Sequence, residues 1–239
     1  MKAMIFAAGL GTRLQNETAD KPKALVEIGK KTLLERAIEK LKAEGIDEIV
    51  VNVHHFADLV IDFIHNHDWG IPVHISDERD KLLETGGGLK KAAHFFSDDS
   101  PILIYNVDIL SNLDLQVLKE EHLKSKALAT LVVRSRKTQR YFKFDKERNL
   151  AGWINKKTGE TKISRSDNFG MATEMAFSGI HIIQPELLKL MPTEDRFSIV
   201  KVYLELAKTR EIKGYFDTSD IWMDVGKPVQ LVEARERFK

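Results

Sequence analysis

Gly9, Gly11, Arg13 and Lys23 are spaced for phosphate chemistry. The glycines let the main chain approach a ligand closely and turn N–H groups toward it. Arg13 offers a planar, permanent cation that matches phosphate oxygens. Lys23, within Lys21-Pro22-Lys23, adds a point charge at the far end of the same loop. In front of the loop, Ala3-Met4-Ile5-Phe6 reads as a buried parallel strand. A strand running into such a loop is how an open α/β sheet presents a nucleotide.

Two common nucleotide loops do not fit. A dinucleotide fingerprint needs a third glycine where Leu14 stands, and Gly11-Thr12-Arg13 does not supply the Gly-Lys-Ser/Thr end of a P-loop. Hydrolase chemistry lacks its Gly-x-Ser-x-Gly elbow. His54, His55, His65 and His67 have no carboxylate at convincing metal spacing and read as surface or helix residues.

Three further groups could complete a site. Glu84-Thr85-Gly86-Gly87-Gly88 opens a helix, and its N–H groups could meet a flat base or a sugar. A flexible loop without a ligand explains that glycine triplet equally. Asn106-Val107-Asp108 ends a strand, the edge at which open sheets bind ligands. Asp108 could hold Mg2+, a hard cation that wants oxygen, or cap the next helix. Asp224, in Trp222-Met223-Asp224-Val225-Gly226-Lys227-Pro228, could complete a metal site or be satisfied by backbone groups.

The first half alternates the elements that would position these residues. Helical spacing of Leu33, Leu34, Ala37, Ile38 and Leu41 ends at Gly45. Glu48 to Val53 reads as a strand; Ala57, Val60, Ile61 and Ile64 make a helix face; Pro72 to Ser76 is a short strand. Leu89, Ala92, Ala93 and Phe96 follow the glycine triplet on a helix, and Ile102 to Tyr105 is a strand. This rhythm predicts a parallel, doubly wound sheet. The second half reads as a helix through Leu115, Leu118 and His122, a strand from 129 to 133, and a hairpin of 140–145 with 150–154. Residues 156–170 read as a long mobile loop. A strand over 175–183, a helix over 198–207, a strand over 221–225 and a helix starting at Pro228 complete the chain. Trp69 and Trp153 read as packing residues.

The 239 residues fit one large α/β domain. A net charge of +1 gives no bias toward nucleic acid. The absence of cysteine excludes disulfides, zinc–thiolate sites and a cysteine nucleophile. With no signal peptide and no apolar run long enough to span a bilayer, a soluble cytoplasmic protein is expected.

Ala7-Ala8-Gly9-Leu10-Gly11-Thr12-Arg13-Leu14 followed by Lys21-Pro22-Lys23 resembles the signature loop of the nucleoside-diphosphate-sugar pyrophosphorylases, the sugar-1-phosphate nucleotidyltransferases. The resemblance covers nearly the whole chain and is closest to the family's compact branch, which lacks a C-terminal β-helix. It implies a glycosyltransferase-A-like α/β fold, Rossmann-like and doubly wound, with a mostly parallel mixed sheet. One domain over 1–239 would divide into a nucleotide-binding half (1–112) and a sugar-phosphate-binding half (113–239). The implied reaction joins a nucleoside triphosphate and a sugar 1-phosphate into a nucleoside-diphosphate sugar and pyrophosphate.

The implied nucleotide contacts are Ala7, Ala8, Gly9, Gly11, Thr12, Arg13, Lys23, Thr85, Gly86, Gly87 and Asn106, with Arg13 and Lys23 acting in catalysis. Lys156, Ser178, Gly179 and Tyr141 would meet the sugar phosphate, the second pair lying in a family-like Phe177-Ser178-Gly179-Ile180. Asp108 and Asp224 would hold Mg2+. The chain departs from the family pattern at Val107 (usually Gly), Asn155 (often Glu), Lys227 (often Thr) and Tyr141-Phe142 (often a glycine), which leaves the sugar open. Ala7-Ala8-Gly9 leans toward UTP. A mannose- or heptose-1-phosphate guanylyltransferase is an alternative. So is a phosphocholine cytidylyltransferase, with Tyr141, Phe142 and Trp153 as an aromatic cage. A non-catalytic nucleotide-sugar sensor is a further alternative, opposed by the joint presence of Arg13, Lys23, Asp108 and Asp224. The expected partners are the two substrates, without nucleic acid or membrane, and the expected assembly is a monomer or homodimer.

Overall fold

The apolar run after Met1 becomes the strand on which both layers of the molecule pack. The computed structural model describes residues 1–238. The first half contains β1 (Lys2–Phe6), β2 (Glu27–Ile28), β3 (Lys31–Thr32), α1 (Leu33–Ala43), β4 (Glu48–Val53), α2 (Ala57–His65), β5 (Val73–Asp77), α3 (Glu84–Lys91), β6 (Ile102–Asn106), β7 (Ile109–Ser111) and α4 (Leu115–Ser125). The second half contains β8 (Ala129–Arg134), β9 (Arg140–Phe144), β10 (Leu150–Asn155), β11 (Thr161–Ile163), α5 (Ser166–Phe169), β12 (Thr173–Ile183), α6 (Glu186–Lys189), α7 (Ile199–Leu206), β13 (Ile212–Phe216), β14 (Trp222–Asp224) and α8 (Pro228–Arg237).

The main sheet is mixed and runs β11-β10-β9-β12-β6-β1-β4-β5, with β8 paired to β12 and β13 paired to β8. The part built from the first half of the chain, β6-β1-β4-β5, is parallel throughout. Side chains alternate across the pleat. Ala3, Ile5, Ile49, Val51, Leu103 and Tyr105 therefore enter one core with the buried faces of α1, α2, α4 and α8. Met4, Val50, Ile102 and Ile104 enter the other, with Leu89 of α3 and Val202 and Tyr203 of α7. A sheet covered on both faces needs apolar residues at nearly every central position, which explains the hydrophobic runs of β1, β4 and β6, broken only by Asn52 within β4.

Local chemistry sets the element ends. The Thr32 hydroxyl caps α1 by accepting from the Glu35 N–H (3.1 Å), and Gly45 beyond its end sits at φ +76°. Ser198 caps α7, and Pro228 occupies the first turn of α8.

Residues 156–170 are not one loop. Gly159 at φ +74° closes a turn that returns β11 antiparallel to β10, and α5 follows. Arg165 pins the segment by donating to the Ala207 and Arg210 carbonyls. Three exposed strand residues, Thr161, Lys162 and Ile163, carry too little periodicity to reveal a strand in sequence. Within the expected 221–225 strand, β14 lies outside the main sheet and pairs with the short β7. No helix among the described residues is long and apolar enough to cross a membrane.

Candidate active site

The site lies at the carboxyl ends of β1, β4 and β6, in a cleft of about 530 Å³. That volume suits a nucleotide-sized ligand. Ala7, Ala8, Gly9, Gly11, Thr12, Arg13 and Lys23 all line it. Gly11 adopts φ +67°, and a Cβ there would stand 3.1 Å from the Thr18 side chain, so the turn requires glycine. The short 3-10 turn Thr12–Thr18 leaves Arg13 exposed, while Lys23 is buried at the start of the next one.

The two aspartates converge. β14 pairs with β7 so that Asp224 faces Ile109, and the Val225 N–H donates to the Asp108 carbonyl (3.0 Å). The Lys23 ammonium donates to the Asp108 carboxylate in an ion pair. Asp224 Oδ1 accepts from the Gly226 N–H (2.9 Å). A Cβ built on Gly226 would lie 2.7 Å from Arg13 Nη2, 2.8 Å from Asp224 Oδ1 and 2.9 Å from Lys23 Nζ. Arg13, Lys23 and Asp224 thus meet at one glycine, and Asp108 joins them through Lys23. Two carboxylates suit a cation that takes its remaining oxygens from phosphates and water. No cluster of three or more metal-ligating side chains occurs among the described residues. Asn106 lines the cleft beside Asp108, with Val107 buried between them.

The glycine triplet serves packing. The Gly86 and Gly87 N–H groups both donate to the Phe197 carbonyl (2.9 and 3.2 Å). A Cβ on Gly86 would stand 2.4 Å from the Phe197 ring, and one on Gly87 1.9 Å from the Asp195 carbonyl oxygen. Gly86 and Gly87 are therefore corrected: they let the 195–197 segment lie against α3, and their N–H groups are not open to a base. The cleft wall here is Glu84 and Thr85.

Asn52 and Glu78 also line the cleft and carry no sequence motif. Asn52 Oδ1 accepts from the Ala7 N–H (2.8 Å) and the Ala8 N–H (3.4 Å), and its Nδ2 donates to Glu78 Oε1 (2.7 Å). Burial pushes the Glu78 carboxyl above its ordinary range, against the hydrogen bond from Asn52. A polar residue interrupting Ile49-Val50-Val51-Asn52-Val53 was the available signal.

The expected sugar-phosphate residues assemble only in part. β12 bulges between Phe177 and His181, and Gly179 there takes φ +76°, its Cα side packed on Asn106. Ser178 is fully buried with its hydroxyl unpartnered, so it does not line an open pocket as expected; its carbonyl accepts from Trp222 Nε1 (3.0 Å). Lys156 is exposed and ion-paired with Glu174 (2.7 Å), outside the cleft lining. The Tyr141 hydroxyl accepts from the Thr138 N–H (2.9 Å). Arg136, missed in sequence, stacks on Trp222 at 4.4 Å and donates to the Phe177 carbonyl (2.9 Å). Its guanidinium feels the Asp224 charge. The aromatic cage does not form. Tyr141 and Phe142 are adjacent on β9 and point to opposite faces, Phe142 is buried edge-on against Phe144 and Phe177, and Lys162 covers Trp153.

A sheet whose parallel strands end in a glycine loop, with two cations and a carboxylate in the cleft and a second carboxylate beside Gly226, is the arrangement of a nucleotide-binding transferase. The comparisons agree. The nucleotidyl transferase family model matches residues 2–239, and the chain belongs to that family, whose members are enzymes. It is 31% identical over 253 residues to N-acetylmuramate alpha-1-phosphate uridylyltransferase of Caulobacter vibrioides, covering 99% of this chain and 96% of that protein. It is 32% identical over 236 residues to mannose-1-phosphate guanyltransferase of Yarrowia lipolytica, covering 95% of this chain and 61% of that one. The crystal structure of HddC from Yersinia pseudotuberculosis superposes with a TM-score of 0.80 at 25% identity, covering 100% of this chain and 99% of HddC.

Proposed function

We propose that this enzyme transfers a nucleotidyl group from a nucleoside triphosphate, UTP in first place, to a sugar 1-phosphate, releasing pyrophosphate. The observation that supports this most strongly is the meeting of Arg13, Lys23 and Asp224 at Gly226, with Asp108 ion-paired to Lys23. Arg13, exposed at the mouth, binds the β- and γ-phosphates, the part that leaves. Lys23 neutralises the α-phosphate, and its ion pair with Asp108 holds the ammonium in place beforehand. Thr85 and Glu84 border the base. The acceptor enters from the Trp222 and Gly179 side.

An oxygen of the sugar 1-phosphate attacks the α-phosphorus. The bond from that phosphorus to its bridging oxygen breaks, and the electron pair leaves with pyrophosphate. The attacking oxygen is already an anion, so no group has to remove a proton. The residues' work is to bring two anions together and to offset their charge. Asp108 and Asp224 would hold a divalent cation, Mg2+ by preference for oxygen ligands, which when bound would offset the charge of the reacting phosphates. A cytoplasmic site of action belongs to the same proposal, since both substrates are intracellular metabolites.

Ala7-Ala8-Gly9 favours UTP; relatives named for UTP and for GTP both stand near the chain. The test is a matrix of nucleoside triphosphates against sugar 1-phosphates with Mg2+, scored by pyrophosphate. Release with UTP and one sugar 1-phosphate is expected. No release with any pair would overturn the proposal, and release with GTP alone would correct the nucleotide.

A further inference from the structure

We infer that Glu78 is a positioning residue for the nucleotide, acting through Asn52 to fix the Ala7–Ala8 backbone at the mouth of β1, a role that rests on the nucleotide-binding reading above. The two side chains are 1% and 3% exposed, so water cannot substitute for the partners each has. An asparagine amide has a carbonyl end that accepts and an NH2 end that donates. Here the carbonyl end faces two N–H donors, Ala7 at 2.8 Å and Ala8 at 3.4 Å, and the NH2 end faces the Glu78 carboxylate at 2.7 Å. A carboxylate can only accept, so Glu78 decides which way the amide points, and the amide decides where the loop sits.

The connection joins four elements at the cleft. Asn52 is on β4, Glu78 follows β5 with its N–H donating to the Val53 carbonyl (2.7 Å), and Ala7 and Ala8 leave β1. The second Glu78 oxygen accepts from the Leu83 N–H (3.4 Å) at the entry to α3. Gly88, the last of the triplet, makes room for the pair: a Cβ there would stand 2.6 Å from Glu78 Oε1 and 3.0 Å from Asn52 Nδ2. Ala7 and Ala8 spend their N–H groups on Asn52, so those amides hold the loop and do not reach a ligand.

Reversing the polarity of the hydrogen bond tests this. Asn52→Asp keeps the acceptor for Ala7 and Ala8 but sets a carboxylate against Glu78. Adding Glu78→Gln restores a donor and an acceptor, in the opposite sense. UTP binding is measured by calorimetry with Mg2+, and KM is measured separately for UTP and for the sugar 1-phosphate. N52D is expected to weaken UTP binding by roughly tenfold to a hundredfold, with the sugar-phosphate KM little changed. N52D/E78Q is expected to recover to within about threefold of the unmodified enzyme. Equal UTP affinity in N52D and unmodified enzyme, or a double variant no better than N52D, would overturn the inference. Should N52D not fold, E78Q alone decides: it sets an NH2 against the Leu83 N–H, so a several-fold weaker UTP affinity supports the role and an unchanged one sinks it. Unmodified enzyme that binds no nucleoside triphosphate would instead remove the nucleotide reading itself.

Discussion

Among single residues, Asp108 carries the most. It is the partner of buried Lys23, and it lies across a backbone hydrogen bond from the Asp224 strand. Asp108→Ala should lower turnover by roughly 10²-fold or more, as expected for loss of a preorganised charge at a phosphoryl site. Binding of the nucleoside triphosphate should change by only a few fold, because Arg13 and the loop remain. Steady-state pyrophosphate release alongside calorimetry separates the two; near-normal turnover would remove Asp108 from the site. The site was legible in sequence where a residue type is rare in its context: paired glycines, an arginine beside them, a carboxylate at a strand end. Asn52, Glu78 and Arg136 were not, because each acts through a contact with a residue distant in sequence. An Asn in a strand or an Arg in a loop looks the same with or without that contact.

At the scale of elements, α3 shows how one pattern serves two purposes. Glycines at a helix start suggest open N–H groups for a ligand, yet Gly86 and Gly87 are covered by the segment preceding α7. Gly87→Ala should destabilise the fold by about 1–3 kcal/mol, since a Cβ overlaps the Asp195 backbone. Thermal denaturation measures the loss. A variant with normal stability and selectively lost nucleotide binding would return the glycine to the ligand. Strand periods and helix caps made β1, β4, β6 and α1 readable almost to the residue. β11 and α5 were hidden because their order comes from contacts with β10 and with the turn after α7, outside their own residues.

The whole molecule is held by two apolar layers with a few polar groups sealed inside. His122 is fully buried on α4. Its Nε2 accepts from Gln184 Nε2 (2.9 Å), an NH2 group that can only donate, so the ring is neutral with the proton on Nδ1, facing the Thr130 hydroxyl (2.8 Å). Burial lowers its pKa from 6.5 to about 4, and that of His181 to about 3. Both folded values lie below the unfolded ones, so the stability they contribute is present above pH 6.5. It is lost as pH falls toward 4, because the unfolded chain binds the protons the fold excludes. Stability should therefore drop on the order of 3 kcal/mol over that window from His122 alone, and His122→Asn should flatten the slope. Denaturant titrations at several pH values check the sign; a flat profile would contradict it.

The account turns on Asp108 and Asp224 sharing one cation above the loop that follows β1. Crystals grown with Mn2+ and a non-hydrolysable UTP analogue, measured at an anomalous wavelength, report this directly. The expected result is one peak between the two carboxylates, within coordination distance of the analogue's α-phosphate. A peak bound by neither aspartate, with the phosphates away from Arg13 and Lys23, would contradict it.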